Sequence, residues 1–156
     1  MNTNKPNIAA QILPESAAFF QQRIENTFTE YLGLEVLQYE DGYCKTRLKI
    51  KPEFLNPIGG LHGGVLFTIA DTTAGAAAIH LDSESTITTV DGNIQYMRPG
   101  LDLDYLYAEA TLIKDGKRMA FVDVHLLTED DTLLAKATFT FARFILPTGE
   151  KPQEEL

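Results

Sequence analysis

Asn56 to His80 reads NPIGGLHGGVLFTIADTTAGAAAIH. Four glycines fall between positions 59 and 64, and an alanine-rich apolar run follows from Val65. The glycines give the loop unusual backbone freedom. The run after it predicts a long helix from about Gly63 to Leu81. Its alanines and Gly75 are small enough to let a curved sheet approach the helix closely. One carboxylate, Asp71, stands in the middle of the run, among Ile69, Ala70, Ala74, Ala76, Ala77 and Ala78, which leave no evident solvated face. A buried carboxylate with neither partner nor role is costly.

The elements around this segment decide the fold class. Upstream, Pro14-Glu15-Ser16 opens a helix with Phe20, Ile24, Phe28, Tyr31 and Leu32 on one apolar face, and Gly33 ends it. Leu34 to Tyr39 and Tyr43 to Ile50 read as a hairpin about Asp41-Gly42. In its second strand Cys44, Thr46, Leu48 and Ile50 face inward, and Lys45, Arg47 and Lys49 face solvent. Downstream, four extended segments cover about 86–97, 103–113, 118–127 and 132–145, with hairpin-type turns between them that predict an antiparallel meander. Two helices and six strands without strand–helix alternation make an α+β chain, one antiparallel sheet wrapped around a long central helix, with an additional N-terminal helix. We expect a flexible stretch over 1–14, a single domain over 15–146 and a flexible polar tail over 147–156.

Bulk properties narrow the function. The 156 residues suit one core, and the net charge of −9 argues against nucleic acid and against an anionic membrane surface. The apolar run is interrupted by Thr68, Asp71, Thr72, Thr73 and His80, so it is not read as a membrane span. The first residues show no signal-peptide pattern, so the expectation is a cytoplasmic protein. Cys44 is the only cysteine and reads as a small buried hydrophobe. His62, His80 and His125 lack metal-ligand spacing, so no metal and no resident cofactor are expected. No Gly-x-Ser-x-Gly elbow occurs.

The chemistry of the central segment follows from helix geometry. A first helical turn has free N–H groups and the positive end of the dipole, which suit a carbonyl oxygen or the oxyanion it becomes. Gly63 and Gly64 leave the approach to that turn open. Asp71 lies eight residues on, about 12 Å along the axis. One carbonyl cannot touch the Gly63 N–H and the Asp71 carboxylate of the same helix. If both serve one substrate they come from two chains, which predicts a two-fold homodimer with antiparallel central helices.

The stretch NPIGGLHGGVLFTIAD resembles the signature segment of hotdog-fold acyl-CoA thioesterases of the phenylacetyl-CoA thioesterase-like branch. TTVDGNIQYMRPG and IKDGKRMAFVDVHL resemble the family's third strand and next hairpin, so the likeness spans about Gly33 to Phe144. It implies a hotdog fold, homodimers that can pair into tetramers, and hydrolysis of an acyl-CoA to free acid and coenzyme A. It further implies that the Gly63 N–H polarises the thioester carbonyl and that Asn56 and His62 help position the carbonyl or the water. Asp71 of the other chain is then general base or nucleophile. Thr89 stands where the family usually has a serine that positions the water. Arg98 and the cluster Lys114, Lys117 and Arg118 are the candidates for the coenzyme A phosphates, with Lys45, Arg47 and Lys49 as the alternative surface. Phe54, Leu55, Phe67, Tyr96 and Phe121 are read as core, so acyl specificity stays open. Two other readings compete: a hotdog hydratase or dehydratase of enoyl or 3-hydroxyacyl thioesters, and a non-catalytic acyl-CoA-binding protein.

Overall fold

A computed structural model of the chain describes residues 24–80 and 85–145. The described part begins with a turn and the short helix α1 (Phe28–Leu32), which Gly33 caps in the left-handed conformation at φ 82°. The part of the expected N-terminal helix before residue 24, including Phe20, lies outside the described residues. The apolar face predicted for it holds only in part. Ile24 and Leu32 are buried, whereas Phe28 and Tyr31 are exposed. The chain turns at Asn26, in a left-handed conformation, so the helical spacing does not run through 24–32.

Strands β1 (Leu34–Glu40) and β2 (Tyr43–Lys49) form the predicted hairpin, and α2 (Gly63–Ala78) is the predicted central helix. Strands β3 (Ser85–Tyr96), β4 (Tyr105–Asp115), β5 (Met119–Leu127) and β6 (Leu133–Ile145) follow. All pairings are antiparallel, in the order β1-β2-β4-β5-β6-β3. This corrects the meander. β4, β5 and β6 are consecutive hairpins, but β3 pairs with β6 rather than β4. The Pro99-Gly100 segment is therefore a crossover between opposite parts of the sheet. Its backbone carbonyl at Gly100 accepts from the Leu61 N–H, which ties the crossover to the loop before α2.

The six strands present one face to α2, which touches every one of them. Leu66, Ile69, Ala70, Thr73, Ala74, Ala77 and Ala78 are buried against Leu106, Ala108, Ala110, Val122, Val124, Leu126, Phe139 and Phe141. The helix side of this core is mostly alanine, which lets backbone and sheet approach closely. The sheet side supplies the bulk. Thr46 and Thr73, fully buried, satisfy each other at 2.7 Å, and Thr73 also donates to the Ile69 carbonyl. The inward and outward faces of β2 are as the alternation predicts. Its basic face is not a free surface, however. Lys45 pairs with Glu109 at 2.6 Å, and Arg47 pairs with Glu35 at 2.7 Å and lies over the Tyr105 ring.

Candidate functional site

Polar groups gather where the glycine loop meets α2. The Asn56 Oδ1 accepts from the N–H groups of Ile58 and Gly60, both at 3.1 Å. That fixes the amide and leaves its Nδ2 uncommitted among the described residues. His62 is the N-cap of α2, and its Nδ1 accepts from the Gly64 N–H at 2.9 Å. A neutral His62 then carries its proton on Nε2, on the exposed side of the ring. The same bond takes up the Gly64 amide, so Gly64 contributes an open approach rather than a donor. The Gly63 N–H, by contrast, has no hydrogen-bond partner among the described residues. It is the one first-turn donor aligned with the helix dipole that stays available for an oxygen from outside.

Tyr96, read from the sequence as core, is half exposed and lies over this turn. Its hydroxyl donates to the Gly63 carbonyl at 2.9 Å. A Cβ at position 63 would come within 3.2 Å of that ring, so the glycine is required by close approach as well as by access. Leu55 and Phe121 are likewise exposed rather than core, whereas Phe54 is buried and Phe67 packs edge-on against Phe139 at 5.4 Å. A cleft of about 340 Å³ opens beside the turn, lined by Gly63, Leu66, Tyr96, Met97 and Arg98.

Asp71 faces a second opening, and its setting corrects the expectation of full burial. In the single chain it is half buried, and it accepts a hydrogen bond from the Thr89 hydroxyl at 2.9 Å. Burial pushes its carboxyl above the ordinary range, and the Thr89 hydrogen bond pulls back against that shift. The adjoining cleft, about 400 Å³, extends along α2 past Gly75 and Ile79.

The basic candidates separate. Arg98 stands at the Gly63 cleft, exposed, with its Nη1 on the Leu133 carbonyl at 2.8 Å. Lys114, Lys117 and Arg118 lie on the β4–β5 hairpin at the other end of α2. There Asp115 holds His80, the second residue after the helix, at 2.8 Å. That hairpin is about a helix length, roughly 24 Å, from Gly63 of its own chain. His80 also binds Asp41 at 2.8 Å, and Arg143, 6% exposed, binds Asp115 at 2.7 Å. No local pattern around His80 signals this four-residue clasp. His125 is exposed on the outer face of β5. A third cleft, about 410 Å³, lies beyond Arg98 and is lined by Asp102, Asp104, Glu129 and Asp130, which would repel a phosphate. Among the described residues no three His, Cys, Asp or Glu side chains gather to hold a metal ion.

A helix wrapped by a six-stranded antiparallel sheet, with an open glycine turn at its start, matches one group of known proteins. The thioesterase superfamily model aligns with residues 58–135, half the chain. This chain belongs to the thioesterase superfamily. It is 31% identical over 112 residues to a putative esterase of Saccharolobus solfataricus, covering 71% of this chain and 73% of that protein. It is 27% identical over 105 residues to the acyl-coenzyme A thioesterase PaaI of Escherichia coli, covering 67% of this chain and 73% of that one. The crystal structure of thioesterase HI1161 from Haemophilus influenzae superposes with a TM-score of 0.78 at 23% identity, over 86% of this chain and 94% of that one. The likeness to HI1161 shows the hotdog fold, and the family together with relatives named as acyl-CoA thioesterases makes this chain a thioester hydrolase. No helix among the described residues is long and apolar enough to cross a membrane.

Proposed function

We propose that the protein hydrolyses an acyl-CoA to the free acid and coenzyme A, at a site shared between two copies of the chain. The observation that carries this reading is the division of labour along α2. The unpartnered Gly63 N–H stands at its start, and an Asp71 carboxyl held above its ordinary range stands two turns in. The first suits the carbonyl oxygen of a thioester as it gains charge. The second suits a general base, because a raised carboxylate takes a proton from water more readily. Thioesters are activated acyls, so an oriented water and a carboxylate are enough. Asn56 Nδ2 and His62 Nε2 flank the carbonyl position, and Thr89 orients the base. Arg98 is the cation best placed for the coenzyme A phosphates. The hairpin cluster Lys114, Lys117 and Arg118 lies at the far end of its own helix, so it would serve a site only from the second copy.

The second copy enters through β3. This strand is at the sheet edge, twelve residues long, with Asp91 its only charged side chain and no proline. Such an edge is a template for another strand. Within one chain Tyr96 reaches Gly63 and Thr89 reaches Asp71. Setting Gly63 of one copy against Asp71 of the second therefore sets Tyr96 opposite Thr89, with the two-fold axis beside Gly92 and Asn93. In that register the two Asp91 side chains do not face each other.

Thiol release from a panel of acyl-CoAs, with Asp71→Ala as control, tests the chemistry. Wild-type rates in a folded Asp71→Ala variant would refute the base. Loss of enoyl absorbance without thiol release would make the enzyme a hydratase. Mixing an inactive Asp71 variant with an inactive Gly63 variant under conditions of subunit exchange tests the sharing. Recovered activity is expected, because one site in each mixed dimer is intact, and no recovery would place both groups in one chain.

A further inference from the structure

Two rings press on the glycine pair that opens α2, one on each residue. A Cβ at Gly63 would lie 3.2 Å from both Cζ and Oη of Tyr96. A Cβ at Gly64 would lie 3.0 Å from Nδ1 and 3.2 Å from Cε1 of His62. Few Cβ atoms make contacts that short, so each glycine is there to let a ring reach the backbone. What the rings reach is a single peptide group, held at both ends. Between Gly63 and Gly64 the carbonyl accepts from the Tyr96 hydroxyl at 2.9 Å, and the N–H donates to His62 Nδ1 at 2.9 Å.

These bonds run in one direction, from Tyr96 O–H to the carbonyl and from the N–H to Nδ1. Bonds aligned in this sense strengthen one another, because electron density drawn to the carbonyl oxygen makes the amide N–H a better donor. That donor keeps Nδ1 an acceptor, which leaves the proton of a neutral His62 on Nε2. Tyr96 is the last residue of β3, and Ala135 of β6 is its partner across the sheet. Its hydroxyl therefore reaches the glycine turn from a strand of the sheet, not from the loop. A phenylalanine would cover the turn equally well, so the hydroxyl is the part with a consequence.

We propose that Tyr96 is a positioning residue for the hydrolysis. Through the Gly63–Gly64 peptide it fixes the ring and the tautomer of His62, so that Nε2–H is presented beside the Gly63 N–H as a second donor to the thioester oxygen. The inference rests on the acyl-CoA reading above.

The test joins NMR of isotope-labelled imidazole nitrogens to thiol release, and His62→Ala identifies the His62 signals. In wild type the neutral ring should be the Nε2–H tautomer alone. Tyr96→Phe and Gly64→Ala break the connection at opposite ends. Each should bring the two nitrogen shifts closer together, as the Nδ1–H tautomer enters. With the fastest substrate of the acyl-CoA panel, Tyr96→Phe should lower kcat about 10-fold, the worth of one hydrogen bond, and leave KM within about 2-fold. In a His62→Ala background the same substitution should lower kcat by less than about 2-fold, because the group it acts through is gone. An equal loss in both backgrounds, or an unshifted spectrum in Tyr96→Phe, overturns the inference. Should Tyr96→Phe not fold, an unshifted spectrum in Gly64→Ala overturns it from the other end. If wild type releases thiol from no acyl-CoA, the functional reading fails by itself, and the spectra still decide whether Tyr96 sets His62.

Discussion

At the start of α2 the Gly63 N–H and the Asn56 Nδ2 carry no hydrogen bond among the described residues. At its other end His80 holds a carboxylate on each ring nitrogen, and one of these also anchors Arg143. The two ends are built from the same kinds of polar group, yet one is left open and the other is closed on itself. Donors left open near a cleft are free to take water or, on the function proposed above, a substrate's oxygen. Groups tied to one another join the helix end to the β1–β2 turn, the β4–β5 turn and β6, and they mark where the fold is held. Changes at the open end should therefore cost activity, and changes at the closed end should cost stability.

The largest effect belongs to Asp71, the proposed base between them. Asp71→Asn should lower kcat by roughly 100- to 10,000-fold, with a much smaller change in KM. The same substitution should raise the melting temperature at neutral pH. The folded-state carboxyl is shifted upward, so its stabilising contribution is present below the ordinary carboxylate range and is lost as pH rises through the folded value. At pH 7 the ionised group is a net cost, less than about 1 kcal/mol at this half-exposed site. Thermal melts at pH 4 and pH 7 check the sign, since the gain should shrink in acid.

Next comes the open donor. Gly63 is the first residue of α2, where proline fits a helix, and His62 already has an extended backbone. With Gly63→Ala in the same background as its steric control, Gly63→Pro in a Tyr96→Ala background, which clears the ring, removes the N–H. Relative to Tyr96→Ala alone it should cost about 100- to 1,000-fold in kcat. An equal rate in the two variants would mean that this end does not receive the carbonyl.

At the closed end, Asp115→Ala removes the acceptor shared by His80 and Arg143. It should destabilise the protein by about 2 kcal/mol, read from chemical denaturation, while the kcat of the folded fraction stays near wild type. A loss of kcat without loss of stability would erase the contrast between the ends. A smaller effect sharpens the assignment of Thr89. Its hydrogen bond lowers the Asp71 value, so Thr89→Val should move the acid limb of the kcat/KM profile to higher pH. Least of all, Cys44 should be silent. Burial pushes its thiol up to about 12, so it should resist alkylation until the protein unfolds.

Much of this was legible in the sequence, because the strongest signals are periodic. The alternation in Tyr43–Lys49 and the alanine-rich run after the glycines fixed strand and helix within a residue or two of the observed bounds at most ends. Pairing partners were less legible. The Pro99-Gly100 turn looks like a hairpin locally, and only the contest for the β6 edge sends β3 elsewhere. Tyr96 was misjudged for a related reason. An aromatic on a strand reads as core until the strand turns out to be an edge. The Asp71–Thr89 contact and the His80 clasp join residues 18 to 39 apart in sequence, and no local pattern encodes them. The limit of the N-terminal helix face, with Phe28 and Tyr31 outside, reflects a turn at Asn26 that side-chain spacing cannot register.

The pairing of β3 with β6 also orders events in time. A chain that emerges from its N-terminus makes α2 and β3 early, but the strand that flanks β3 comes at the end of the described sequence. Until β6 arrives, β3 has no neighbour in its own sheet, and the register that we propose for the second copy has nothing to hold it in place. Assembly of the proposed dimer would thus wait for the last strand. Two half-made chains would meet through a strand not yet held to its own sheet, whereas two finished chains would meet through an edge whose alignment is already set.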